Sequence, residues 1–233
     1  MMSIAGADIF LAMKKGQRVY TVNKAAGNIL PEAPWDADAW KNAEVAQIDC
    51  FPWYKSGKKQ KTVVRALYDS SVLHVLFESE DTHISAKRRK YNGDVYLDSC
   101  VEFFLSPWPS KTNDYFNIES NCCAVLHIGL GPDRRHRKLI PAKLARQITL
   151  VSTVPGKQKT ESSDDNGWKL YMRIPRSALS ALAGKRVRFA GTWKGNFYRC
   201  GGKTNDQYAV WSPIGVPEPD YHRPEYFGDL VFE

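Results

Sequence analysis

Short runs of alternating apolar and polar residues dominate this sequence, and turn residues separate them. In residues 72–79, Leu73, Val75 and Phe77 share one side of an extended chain, whereas His74 and Glu78 share the other. Residues 69–71 are turn formers that separate this run from a similar one at 62–69, and together they predict a β-hairpin. The predicted strands are 62–69, 72–79, 99–106, 114–129, 147–154, 167–174, 186–193, 208–212 and 227–232. Only 142–146 and 176–183 look helical.

So many short strands with so little helix favour an all-β fold, an antiparallel β-sandwich of jelly-roll type with one or two short helices. The 233 residues are 43% apolar and 25% charged, which is typical of a globular domain. No run approaches the ~18 apolar residues of a membrane-spanning helix. The start of the chain, with Lys14, Lys15 and Arg18 after a short apolar stretch, does not resemble a signal peptide. We therefore expect a monomer without a membrane partner, with a small preference for the cytoplasm.

The outward positions of two predicted strands carry an unusual set of side chains. In residues 101–105, Glu102 and Phe104 would face away from the core. The outward positions of the run 115–121 are Tyr115, Asn117, Glu119 and Asn121. Carboxylates and amides form bidentate hydrogen bonds to sugar hydroxyls, and flat rings pack against sugar C–H faces. Tyr96, Trp211 and His222 are the ring candidates near strand ends, so this face is a candidate carbohydrate site.

Several motifs also resemble, in order, those of family 9 carbohydrate-binding modules and their DOMON-like relatives. Residues 98–107, Asp-Ser-Cys-Val-Glu-Phe-Phe-Leu-Ser-Pro, resemble the family signature D-S-x-V-E-x-F-x-x-P, and 168–175 resemble its W-x(5)-I-P strand. The closing residues 221–228, Tyr-His-Arg-Pro-Glu-Tyr-Phe-Gly, resemble H-x-P-x-x-F-G. Between these motifs the chain also has, in the order of the family, the runs 115–121, 196–201 and 211–214. The matches extend from about residue 36 to the C-terminus.

This resemblance implies a DOMON-like β-sandwich that binds a poly- or oligosaccharide between two aromatic rings and serves polysaccharide catabolism. It divides the chain into a carbohydrate-binding domain, 36–233, and an N-terminal extension, 1–35, packed on that domain. By position, Tyr96 matches one stacking ring, although the family has Trp there, and Trp211 or His222 would supply the second. The polar contacts are then expected from Glu102, Glu119 and Asn121. Arg199 is a further candidate, and Asn92 and Gly93 would shape the entrance.

The sequence gives little support for a cofactor. The five cysteines form no C-x-x-C pair, and no acidic loop of the EF-hand type is present, so we expect neither zinc nor another required cofactor. The family resemblance leaves a structural calcium open. Some DOMON relatives bind haem through Met and His, but here we expect Met172 in the core and His74 on the surface.

Two other functions stay open. Basic runs at 55–61, 87–90 and 134–138 contribute to the net charge of +8 and could attract nucleic acid. These runs fall in predicted loops, however, where charge more often serves solubility. The other alternative is a glycoside hydrolase that uses Glu102 and Glu119 as its carboxyl pair. We favour non-catalytic binding because no second feature marks either residue as an acid with a raised pKa.

Overall fold

The computed structural model describes residues 16–154, 160–204 and 206–233. These residues form thirteen strands and two α-helices. The strands are β1 (Val19–Lys24), β2 (Ala46–Gln47), β3 (Thr62–Tyr68), β4 (Val72–Ser79), β5 (Cys100–Ser106), β6 (Tyr115–Asn121), β7 (Leu126–Gly131), β8 (Lys138–Leu139), β9 (Thr149–Ser152), β10 (Trp168–Pro175), β11 (Gly191–Cys200), β12 (Tyr208–Val210) and β13 (Gly228–Phe232). The helices are α1 (Ala142–Ala145) and α2 (Arg176–Ala183). Short 3₁₀ turns cover Ala37–Trp40, Val95–Leu97 and Pro224–Tyr226.

The strands form one curled sheet that folds over into two layers. The order in the first layer is β8-β7-β6-β5-β11-β13, and the order in the second is β3-β4-β10-β9. Strand β1 joins them, because it pairs in parallel with β13 in one layer and with β3 in the other. The remaining pairings are antiparallel. The predicted β-sandwich with short helices is confirmed. Strands β1, β2 and β8, and the parallel pairing of β1, are additions that the sequence pattern did not indicate.

The main core lies between the layers and is built from the residues that face inward at alternate positions along the strands. Phe103 of β5 stacks on Phe197 of β11 with ring centroids 4.8 Å apart, and Phe77 of β4 meets Phe197 edge to face from the opposite layer at 6.1 Å. All three rings are 1% exposed or less. Truncating a ring at such a position costs about 3–5 kcal/mol.

The hairpin and the second helix lie where the sequence predicts them. Strands β3 and β4 flank a turn in which the Asp69 carboxylate accepts hydrogen bonds from the backbone N–H groups of Ser71 (2.7 Å) and Val72 (2.8 Å). Helix α2 is capped at its C-terminal end by Gly184, whose φ of 62° is the left-handed conformation that glycine tolerates best.

Two predicted strands differ most from those of the structure. The run 114–129 is not one strand, because a turn with Ala124 at φ 60° divides it into β6 and β7. In that turn the Asn121 side-chain oxygen accepts from the N–H groups of Cys123 (3.2 Å) and Val125 (3.0 Å). The run 186–193 is a loop up to Ala190, and the strand there is β11, which continues to Cys200. Hydrophobic alternation alone cannot locate such turns, since the turn residues are themselves apolar.

The outer faces of both layers are covered rather than solvated. On the first layer, Phe104, Tyr115 and Tyr198 pack against Tyr221 and Phe227 of the C-terminal segment 211–227. On the second layer, Ile29 and Trp40 cover Leu67, Leu76 and Tyr171. The outward positions of these strands are therefore not exposed to solvent, and all residues of β5 and β6 are buried. A polar side chain on such a face needs a protein partner or opens on a cavity.

Residues 1–15 of the proposed N-terminal extension lie outside the described residues, and so do Lys14 and Lys15. Strand β1, which also belongs to the segment 1–35, is an integral strand of the sheet. The division at residue 36 stays a prediction. No helix within the described ranges is long and apolar enough to cross a membrane.

Candidate functional site

A cavity of about 320 Å³ opens on the outer face of the first layer, where the covering segment leaves β5, β6 and β11 accessible. Its floor comes from these strands, and its walls come from the 3₁₀ turn before β5, the loop between β7 and β8, and the C-terminal segment. The lining residues are Asp94, Tyr96, Glu102, Glu119, His127, Arg134, Arg137, Cys200, Tyr208, Pro219, Asp220, Tyr221 and His222.

Four of the seven side chains singled out in the sequence line this cavity. Glu102 and Glu119 are direct cross-strand partners on β5 and β6, so both point to the same side of the sheet. Tyr96 comes from the turn that precedes β5, and 44% of it is exposed at the rim. His222 enters from the C-terminal segment and contacts the Phe104 ring at 4.8 Å.

Asn121 and Arg199 do not reach the cavity. The Asn121 amide donates to a carboxylate oxygen of Asp98 (2.9 Å) and to the carbonyl of Arg88 (2.9 Å), so its hydrogen bonds organise the turn after β6. Arg199 lies on the inner face of β11, where its Nη2 donates to Asp81 Oδ2 at 2.5 Å. Both arginine and aspartate are buried, and this ion pair belongs to the interior.

Trp211 is a core residue rather than a sugar platform. It is 3% exposed and meets Tyr20 and Phe197 edge to face, with centroids 6.3 and 5.5 Å away. Its ring also lies against Gly228, where a Cβ atom would approach Trp211 to 2.6 Å. A ring enclosed in this way has no free face for a ligand.

Arg137 is the central cavity residue that sequence reasoning missed. Its Nη1 donates to Nε2 of His222 (2.7 Å), its Nη2 donates to Nε2 of His127 (3.2 Å), and Nη1 is 3.7 Å from Glu119 Oε1. The sequence signal for this residue is the basic run 134–138, whose position in a loop predicts surface charge. That prediction holds for exposed Arg135, but Arg137 points inward.

The hydrogen bonds fix the tautomers of both histidines. Since Nε2 of each ring accepts from Arg137, Nδ1 carries the proton: His127 donates to the carbonyl of Gly93 (3.0 Å) and His222 to the hydroxyl of Tyr115 (2.7 Å). Burial, followed by the charges of Arg137 and Arg134, lowers the pKa of His222 to about 2. The His222 imidazole is therefore neutral, and Gly93 shapes the site through its carbonyl.

A glycine makes room for this arrangement. A Cβ atom at Gly129 on β7 would lie 2.6 Å from Asn117 Oδ1 and 3.2 Å from Arg137 Cδ. The missing side chain thus lets Arg137 pass over the sheet. It also lets the Asn117 amide donate to Glu119 Oε1 at 2.8 Å.

The two carboxyl groups on the floor have different surroundings. Glu119 lies near Arg137 and accepts from Asn117, whereas Glu102 has the Cys200 thiol as its neighbour, with Sγ donating to Oε1 at 3.4 Å. Burial raises the pKa of Glu102 well above its ordinary range, and the charge of Glu119 raises it further. The Glu102 carboxyl is thus suited to donate a hydrogen bond, and the Glu119 carboxyl, which faces Asn117 and Arg137, is suited to accept one.

Tyrosine rings form the apolar part of the site. Tyr221 stacks on Tyr198 at 4.2 Å, and Tyr208 meets Tyr221 edge to face at 6.1 Å. Tyr208 and the exposed Tyr96 line the same cavity, and burial raises the pKa of Tyr208 to about 12, so its hydroxyl stays protonated. Aromatic rings beside hydrogen-bonding groups are what a sugar ring requires.

The positions weighed for metal or haem lie elsewhere. Met172 is fully buried in the main core, as expected. His74 is also buried, against the expectation of a surface position, because its Nδ1 lies 2.7 Å from the Tyr171 hydroxyl and its Nε2 lies 3.1 Å from Asp69. In the part of the chain that the structure describes, no three His, Cys, Asp or Glu residues are grouped to hold a metal ion.

A two-layer β-sandwich with a rim of tyrosines over buried carboxyl groups defines a protein of the carbohydrate-binding class. Comparison with known families agrees. The model of carbohydrate-binding family 9 matches residues 36–232. The chain belongs to carbohydrate-binding family 9, and its function is non-catalytic carbohydrate binding.

Solved structures show the same fold. A candidate carbohydrate-binding protein from Bacteroides uniformis ATCC 8492 is 29% identical with a TM-score of 0.82, over 93% of this chain and 100% of that one. A family 9 module from Caldicellulosiruptor kristjanssonii in complex with cellotriose is 13% identical with a TM-score of 0.60, over 93% and 94% of the two chains. The same organism's module in complex with glucose is 14% identical with a TM-score of 0.60, over 93% and 96%. No curated protein matches the chain.

Proposed function

We propose that the cavity between the tyrosine rim and the Glu102–Glu119 floor is the carbohydrate site and that it takes part of an uncharged oligosaccharide. This proposal rests on one observation: exposed Tyr96 and two buried carboxyl groups line the same cavity of about 320 Å³. Similar modules from C. kristjanssonii were solved with cellotriose and with glucose, which makes β-glucans the first ligands to examine.

The test is isothermal titration calorimetry with cello- and xylo-oligosaccharides. We expect Tyr96→Ala to weaken binding about tenfold, a loss of about 1.4 kcal/mol that is reasonable for a rim stacking contact. Tyr54→Ala is the matched control, because Tyr54 is also 44% exposed but lies outside the cavity lining. Equal affinities of both variants and the wild type would place the site elsewhere.

We further infer that the protein binds sugar as a monomer, without a cofactor and without nucleic acid. Support comes from the basic runs, which are mostly loop residues, and from Arg137, whose charge is directed into the cavity. Dialysis against EDTA should leave the affinity for the best oligosaccharide unchanged, and light scattering should give the mass of one chain. Product analysis of the same samples would reveal any hydrolysis.

A further inference from the structure

Glu102 and Glu119 form a cross-strand pair of the more closely spaced of the two antiparallel types. They are register partners, and they are 3% and 4% exposed. The N–H of Cys122 donates to the carbonyl of Ser99, so the alternate pairs along β5 and β6, including Glu102–Glu119, are of the non-hydrogen-bonded type. Side chains of such pairs approach each other most closely, with Cα atoms about 4.5 Å apart. Two carboxyl groups therefore share one small volume from which most water is excluded.

The positive charge available to this pair suffices for one carboxylate. Arg137 lies 3.7 Å from Glu119, and within the described ranges no ion pair is formed by Glu102. His127 and His222 add no charge, because both accept hydrogen bonds from Arg137 through Nε2. Two buried carboxylates beside one guanidinium would leave a negative charge uncompensated, which is expensive in a low-dielectric site.

The other groups around Glu102 do not supply that charge. The titratable and charged neighbours are Cys100 on β5, Glu119 on β6, Tyr198 and Cys200 on β11, Tyr221 of the covering segment, and the more distant Arg134 and Arg137. Burial raises the pKa of both thiols and both phenols well above their ordinary values, so these four groups are neutral. Arg134 is largely exposed and pairs with Asp220 at 2.9 Å.

We propose that the Glu102–Glu119 pair carries one proton, located on Glu102, and that it recognises two neighbouring hydroxyl groups of an uncharged sugar. Glu102 donates its O–H to one sugar oxygen, and Glu119 accepts from the adjacent hydroxyl. Glu119 is the acceptor because Asn117 and Arg137 already support negative charge there. The inference rests on the proposed function and adds to it the hydrogen-bonding role of each carboxyl group. Sugars with carboxylate groups are disfavoured, since the carboxylates of Glu119, Asp94 and Asp220 outnumber the two guanidinium groups of Arg134 and Arg137 in the same lining.

This arrangement makes affinity depend on pH in a defined direction. At neutral pH the pair has its proton and the sugar binds fully. At higher pH Glu102 loses this proton. It can then no longer donate a hydrogen bond to the sugar oxygen, and its negative charge repels that oxygen. Above the midpoint, affinity should fall by up to about tenfold per pH unit, the limit for one linked proton.

The decisive experiment measures affinity for the best cello- or xylo-oligosaccharide between pH 6 and 9 in wild type, Glu102→Gln and Glu119→Gln. The Gln side chain keeps a neutral donor at position 102, so Glu102→Gln should retain affinity within about threefold and lose the decline at high pH. Glu119→Gln, the matched exchange on the other strand, should bind at least about tenfold more weakly. A tenfold loss in Glu102→Gln with an unchanged pH profile would overturn the inference.

Two readouts do not depend on a variant that folds. Calorimetry of the wild type above the midpoint, in two buffers of different ionisation enthalpy, should show uptake of about one proton per bound sugar. In free protein labelled with ¹³C at glutamate carboxyl carbons, one buried carboxyl should be protonated at pH 7. If no sugar binds at any pH, the proposed function fails. If sugar binds without proton uptake and both carboxyl groups are ionised at pH 7, only this inference fails.

Discussion

Arg137 and His222 are joined by a hydrogen bond of 2.7 Å from Nη1 to Nε2, although 85 residues separate them in the chain. A guanidinium is always charged, so it can only donate, and the imidazole nitrogen that accepts must be unprotonated. This contact ties the loop between β7 and β8 to the C-terminal segment. It therefore closes one wall of the cavity and keeps His222 neutral.

The first prediction concerns pH-dependent stability. The pKa of His222 is about 2 in the folded protein. It is about 6.5 in an unfolded chain. Between these values the unfolded state binds an additional proton, so His222 lowers the free energy of unfolding as pH falls below 6.5, by up to about 1.4 kcal/mol per unit. His222→Gln should reduce the slope of stability against pH between pH 6 and 4 in urea unfolding.

The second prediction concerns the space over β7. Gly129→Ala places a methyl group 2.6 Å from Asn117 Oδ1 and 3.2 Å from Arg137 Cδ, so both side chains must shift. We expect a stability loss of about 1–3 kcal/mol, as in other overpacked sites. We also expect a loss of sugar affinity of about tenfold, because Asn117 and Arg137 both support Glu119. Gly27→Ala is the control, since a Cβ atom there meets no heavy atom within 4 Å. Unchanged sugar affinity in Gly129→Ala would show that the position of Arg137 does not affect sugar binding.

The third prediction concerns the buried ion pair of Arg199 and Asp81. Arg199→Met leaves the buried Asp81 carboxylate without its cation, and the free energy of unfolding should fall by about 3–5 kcal/mol. The double variant Arg199→Met, Asp81→Asn should recover part of this loss. Arg18→Met, at an exposed pair with Asp49, should cost about 0–1 kcal/mol in the same denaturant titration. An equally small effect at Arg199 would contradict the structural role.

The fourth prediction separates core aromatics from rim aromatics. Trp211→Phe should lower the free energy of unfolding by about 1–3 kcal/mol, because the smaller ring leaves space beside Tyr20 and Phe197. Its sugar affinity, measured on the folded protein, should stay within about twofold of wild type. Tyr96→Ala should give the reverse result, with weaker binding and little change in stability. A Trp211 variant that folds normally but does not bind sugar would support a role for Trp211 as a sugar-stacking platform.

The strands, the main core and the family could be predicted from the sequence because each depends on local pattern. Alternation over 72–79 and 101–105 determines which residues face inward, whatever packs above them. The same alternation predicts that Glu102 and Glu119 lie together, since the outward positions of adjacent strands share one face. The family motif predicts Tyr96 as a site residue, at a fixed spacing before Glu102.

Only the tertiary structure decided what lies over the outward faces. The segment 211–227 buries Tyr115 and Phe104 and brings His222 to the cavity, whereas Trp211 at its start turns into the core. Arg137 enters the site because it meets groups distant in the chain, and no local pattern distinguishes it from exposed Arg135. The sequence therefore determined the two layers and the carboxyl pair. The contacts between distant segments determined which aromatic and charged side chains surround that pair, because those contacts exist only once the chain has folded.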